Sequence, residues 1–178
     1  MIAVTPKLGA TVKQWTRDEI LEAYHIRRVL EREAVRLFVM RATPQDKQRL
    51  VELTQAFDVF AATDPVKALE GDIALHLHNV RATRCPRLYE LVETSRIETT
   101  VIFGLAVARP DSQEEIDRSY QLSSGCHVPL VEALLGDNPD AADVEICRQL
   151  DTDYELMLKV KNNQAEPSEM AWFARPGA

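Results

Sequence analysis

The sequence predicts an all-α fold, an antiparallel bundle of about six helices, and three observations lead to it. First, the 178-residue chain holds only 6 glycines and 6% aromatics, so strong helix formers dominate. Second, prolines stand where helices start. Third, long amphipathic segments are joined by short connectors, the arrangement that favours antiparallel neighbours. No run alternates with a two-residue period, so no sheet is expected. The length fits one domain with a real core.

The elements follow in order. Residues 1–15 read as a linker. A first helix over 17–41 opens with Thr16 as cap and Glu19 three residues on, a capping box. Thr43-Pro44, Asp64-Pro65 and Asn138-Pro139 each pair an N-cap residue with proline at the first helical position. They start helices over 44–61, 65–83 and 139–161. Cys85-Pro86 and Arg109-Pro110 do the same with poorer caps, giving helices over 86–107 and 112–135. The tail 162–178 is weakly patterned and expected to be loose, with Trp172 and Phe173 its only large docking groups.

Composition excludes several classes. A formal net charge of -7 argues against a nucleic-acid surface on this domain. The longest apolar run, Val101–Ala108, falls short of the roughly 20 residues of a membrane span. The first ten residues lack the charged start and apolar core of a secretory signal. Cys85, Cys126 and Cys147 are odd in number and widely spaced, which fits a reducing cytoplasm.

Helical wheels single out polar residues on apolar faces. With Leu69 as the reference direction, Val80 and His76 fall close beside it on either side, Ile73 lies a little further round, and Asp72 is at the edge of the same stripe. Asp72 and His76 are one turn apart. His78 falls on the opposite face with Lys67 and reads as a surface histidine. His127 sits at the centre of a stripe formed by Ile116, Tyr120, Val131 and Leu134. Gln149 is flanked by Ala142, Ile146, Leu156 and Val160, with Asp153 one turn on, while Arg148 points away. On the first helix Arg27 lies among Ile20, Ala23, Ala34 and Phe38, with Glu31 beside it, so an inward ion pair is expected. Leu75 and Val29 spill outside the main stripes.

Three helices thus aim polar groups into one interior, and a buried carboxylate without a partner costs several kcal/mol or more. A divalent metal would offset this, because Asp and His at i and i+4 share a helix face. Plain hydrogen bonding of Asp72 to His76 or His127 would offset it too, and the wheels alone leave both open. Arg27 is equally open between a structural pair and a ligand for a carboxylate, which its fork suits.

The constellation resembles the FCD domain, the C-terminal effector-binding domain of GntR-family transcriptional regulators, over about Thr16 to Leu158. "EILEAYHIRRVLEREAVRLFVMRAT" looks like its first helix, including Arg27, Leu30 and Glu31. "DIALHLHNV" looks like its Asp-x-x-x-His segment. "CHVPLVEALLGDNPDAADVEICRQL" is similar to its histidine helix, Gly-Asp connector and last helix. The resemblance implies a helical bundle, a homodimer, and a divalent metal, zinc by preference, held by one Asp and three His. It also implies a small carboxylate effector that controls DNA binding. By position the ligands are Asp72, His76 and His127; the fourth, a histidine in the family, falls at Gln149, a weaker oxygen donor. Arg27, Gln149 and Asp153 are the expected effector residues. Cys85 stands where the family often has Asn. "MIAVTPKLG" looks like a last wing strand and linker, and no helix-turn-helix fits before Thr16. The competing readings are a metal-dependent hydrolase or isomerase, with Glu31 or Asp153 as base, and a metal-free helical interaction module.

Overall fold

The computed structural model of the chain describes residues 2–5, 9–12, 15–61, 63–107 and 125–162. Among the described residues six helices follow one another: α1 (Arg17–Arg41), α2 (Pro44–Ala61), α3 (Pro65–Ala82), α4 (Pro86–Val107), α5 (Val128–Leu135) and α6 (Pro139–Asn162). The all-α bundle holds, and four of its helices begin at the expected prolines. One addition lies before it. Ile2–Thr5 (β1) and Gly9–Val12 (β2) pair as an antiparallel hairpin, Ile2 opposite Val12 and Thr5 opposite Gly9. Two strands of four residues are too short for alternation to register, which is why no sheet was expected there.

Side-chain caps set the helix starts. Thr16 Oγ1 accepts from the Glu19 backbone N–H at 3.2 Å, and Glu19 Oε2 accepts from the Thr16 N–H at 2.8 Å. Thr43 and Asp46 repeat this reciprocal box on α2. Asp64 caps α3 through the Lys67 N–H, and Asn138 Oδ1 accepts from Asp140 and Ala141 at the start of α6. Each satisfies donors that the first helical turn leaves without partners.

The helix expected over 112–135 is broken at Gly125 to His127. Gly125 to His127 form a turn, and His127 is the N-cap of α5. Gly125 adopts φ +75°, and Pro129 has no N–H and a ring that would clash with the carbonyl four residues back. A continuous helix through 125–129 is therefore ruled out. Residues 108–124, with Ile116, Tyr120 and the Arg109-Pro110 start, lie outside the described residues, as does the tail 163–178.

The main core joins five helices: Val35 and Phe38 of α1, Leu50 of α2, Leu75 of α3, Leu130 and Leu134 of α5, Ile146 and Leu150 of α6. A second cluster at the other end of α1 sets Ile20 and Tyr24 against Tyr154, Met157 and Leu158, with the two tyrosine rings edge-on at 5.5 Å. Outside these contacts, α1 and α6 run antiparallel along a ladder of ion pairs: Arg28–Asp151, Arg32–Asp143 and Arg36–Asp140.

Two wheel assignments change. Leu75 is fully buried in the main core, and the His78 ring is half-buried against Phe38, its Nε2 2.8 Å from the Asp46 carbonyl oxygen. Both follow from one cause. Helix α3 packs on α2 as well as on α1 and α4, so it has two buried sides where a single stripe was expected. Val29 is exposed, as its position on the wheel implies.

Candidate metal and effector site

Asp72 and His76 sit one turn apart on α3, and the turn at Gly125 delivers His127 opposite them. One ligand atom from each of the three lies within 4.8 Å of the others. Asp72 Oδ1 is 3.1 Å from His127 Nε2 and 3.5 Å from His76 Nε2. The Phe57 ring stands edge-on to His127 at 4.4 Å and closes one side. Gln149, from α6, places its amide nitrogen 3.3 Å from His76 Nε2. Its Oε1 is buried and has no hydrogen-bond partner among the described residues.

A network of charge stands behind these groups. Glu31 accepts from Arg27 Nε at 2.8 Å, so the expected inward ion pair of α1 is present. It also accepts from Arg96 Nη1 at 2.9 Å and lies 3.1 Å from His76 Nδ1. Arg96, on α4, donates through Nη2 to Asp72 Oδ2 at 2.5 Å. Asp153 Oδ2 lies 3.8 Å from Arg27 Nη2.

The electrostatics follow from burial and these partners. Burial pushes the Glu31 and Asp72 carboxyls up, but the guanidiniums and imidazoles beside them override it and hold both well below the usual range. Burial and the Arg96 charge lower His76 to about 4, so this ring is neutral at pH 7. Its Nδ1 faces the Glu31 carboxylate, which fixes the proton there and leaves the Nε2 lone pair directed at Asp72. For His127, burial lowers the value, but hydrogen bonds to Asp72 and Cys126 outweigh it and raise it to about 10 in the absence of metal. Burial raises Asp153 to about 6, against the pull of Arg27. Glu31, engaged by two guanidiniums and His76, is a poor candidate for the general base of a hydrolase.

The donor set fits a divalent metal. A zinc–nitrogen bond is about 2.0–2.1 Å, which puts two ligands of a tetrahedral ion roughly 3.3 Å apart. The 3.1 and 3.5 Å separations match this. The unpartnered Gln149 Oε1 is a further oxygen donor close by, and Glu31 orients His76 as an outer partner orients a metal ligand.

A cavity of about 100 Å³ opens beside the cluster, walled by Arg27, Asp72, Arg96, His127, Gln149 and Asp153 among others. The structure therefore gathers all six expected site residues, with His76 buried just behind the wall. It adds Arg96, which the sequence reading missed. The same wheel applied to α4 places Tyr89, Val92, Thr99 and Thr100 on the face of Arg96. A stripe so rich in threonine gives little apolar contrast, and that hid it. Cys85 is not in the wall; its sulfur lies 3.1 Å from Arg41 Nη1.

A helical bundle with polar side chains converging on a small charged cavity is a ligand-binding domain in design. The sequence matches the FCD domain family over residues 22–151, and the chain belongs to that family. Solved structures of GntR-type regulators share its fold. Escherichia coli McbR/YncC superposes with a TM-score of 0.79 at 19% identity, over 89% of this chain and 77% of that one. A GntR-family transcriptional regulator from Pseudomonas syringae pv. tomato str. DC3000 gives 0.64 at 20% identity, over 92% of this chain and 66% of that one. At such identities the likeness speaks for the fold alone. No curated protein matches the sequence. Family membership makes this a regulatory, effector-binding type of domain and points to a regulator rather than an enzyme. No helix among the described residues is long and apolar enough to cross a membrane.

Proposed function

We propose that this domain senses a small carboxylate bound beside a divalent metal, with zinc the first choice. Asp72, His76 and His127 would hold the ion and Gln149 would take the fourth place. The observation that carries the reading is the convergence of three ligand atoms within 4.8 Å at the wall of a cavity that also presents Arg27. When bound, the metal supplies a positive Lewis-acid centre for one carboxylate oxygen. Arg27 would hold another through Nη2, which has no hydrogen-bond partner among the described residues, and Asp153 lies 3.8 Å from that nitrogen. The domain would work as a homodimer in the cytoplasm and act on DNA through a separate winged-helix domain. Exposed Ile26 and Val29 on α1, with Leu91 and Ile97 on the adjacent α4, support a subunit contact.

A thermal-shift screen of small organic acids against zinc-loaded protein tests this, read beside chromatography for product. Stabilisation without turnover is expected. No shift with any acid sinks the sensor reading, and consumption of an acid replaces it with the enzyme.

A further inference from the structure

Arg96 has an N–H donor that its visible partners leave unused. It is 3% exposed, lines the cavity, and bridges Glu31 and Asp72 through Nη1 and Nη2. Its Nε is buried with no hydrogen-bond partner among the described residues, and the same holds for Arg27 Nη2. A buried guanidinium N–H left without an acceptor is costly, so two such groups on one small cavity mark a place for an acceptor. Glu31 sits between the two guanidiniums and fixes both. They are held in place before a ligand arrives, which lowers the entropy lost on binding.

We infer that Arg96 is a second anion-binding residue of this cavity and that, with Arg27, it selects a singly charged carboxylate of few carbons. This rests on the small-carboxylate reading above and narrows it. The charge follows from the residues present. Glu31, Asp72 and Asp153 bring three negative charges, and Arg27, Arg96 and a divalent ion bring four positive ones. One positive charge is left for the ligand, where a site with Arg27 alone would have none. A dianion would leave the buried cluster net negative. The size follows from the volume. About 100 Å³ is less than the roughly 150 Å³ of a cavity that accepts benzene. An acid of few carbons fills this space.

Calorimetric titration of zinc-loaded protein with acetate, propionate, malonate and succinate tests the inference. Acetate or propionate binds, and the two dianions bind about tenfold more weakly or not at all. Arg96→Lys keeps a positive charge toward Glu31 and Asp72 but loses the Nε–H. It reduces monocarboxylate affinity about tenfold or more when both proteins are compared at a zinc concentration that saturates the site. A crystal structure of the wild-type protein with propionate gives a readout that needs no variant. The carboxylate lies within hydrogen-bond distance of Arg96 Nε. A carboxylate held by Arg27 and the metal alone, or wild-type affinity in Arg96→Lys, overturns the role of Arg96 and leaves the sensor reading intact. Tighter binding of malonate or succinate overturns the single-charge selection. If none of the four binds but a larger acid does, the size limit fails; if no acid of any kind binds, the sensor reading itself falls.

Discussion

Replacing Glu31 with glutamine keeps the shape of the side chain and removes its charge. Three buried groups depend on that charge: Arg27 at 2.8 Å, Arg96 at 2.9 Å and His76 at 3.1 Å, all 4% exposed or less. Removing one partner of a buried ion pair costs about 3–5 kcal/mol, because the opposite charge stays buried and uncompensated. Two guanidiniums are affected here, but Asp72 still pairs with Arg96 and Asp153 lies near Arg27, so the same range of about 3–5 kcal/mol is expected. Set against a typical total of about 5–15 kcal/mol, the variant folds but is marginal. At about 2–4 °C per kcal/mol for a chain of this size, its Tm falls by about 6–20 °C. Urea unfolding followed by circular dichroism should show a lower midpoint with an unchanged slope. Zinc affinity should drop about 10- to 100-fold as well, since His76 loses the acceptor that orients it. A stability loss below about 1 kcal/mol would show that the network does not hold the three helices together as described.

Asp153→Asn tests the raised carboxyl. An unfolded aspartate loses its proton near 3.8 and the folded one near 6, so between these values the folded state binds more protons and wild-type stability falls as pH rises. Metal-free Asp153→Asn lacks this decline, so urea midpoints of the two proteins diverge in its favour from pH 4 to pH 6; parallel profiles refute the assignment. Gly125→Ala meets no atom within 4 Å but forces an L-residue to φ +75°, so it loses about 1–2 kcal/mol in a thermal melt, and an unchanged Tm would contradict the turn geometry. Val29→Asp, at an exposed position, should turn a dimer into a 20.1 kDa monomer in light scattering with little change in Tm; a dimer that persists moves the subunit contact elsewhere.

Much of this molecule was legible in its sequence where one residue type does one physical job. Proline after Thr, Asp or Asn marked helix starts to the residue because a missing N–H costs nothing at that place. Asp72, His76, Arg27, Glu31 and Gln149 stood out because each interrupts an otherwise apolar stripe. The losses have equally specific causes. Leu75 and His78 were misplaced because a helix with neighbours on two sides has no solvent face at those positions. His127 lies at the interior, yet on a turn, since a wheel drawn through Gly125 and Pro129 assumes a helix that those residues forbid. Arg96 escaped because its face is marked by threonines. Its pairing with both Glu31 and Asp72 exists only once three helices meet.

Asp72, His76 and His127 are proposed to hold a divalent ion. The most direct test of this proposal is elemental analysis after loading with zinc and desalting, on the wild-type domain, His76→Ala and Gln149→His. Up to about one ion per chain is expected in the wild-type protein, with clear loss in His76→Ala and tighter retention in Gln149→His. Wild-type protein that retains no metal, or His76→Ala that retains as much as wild type, would contradict it.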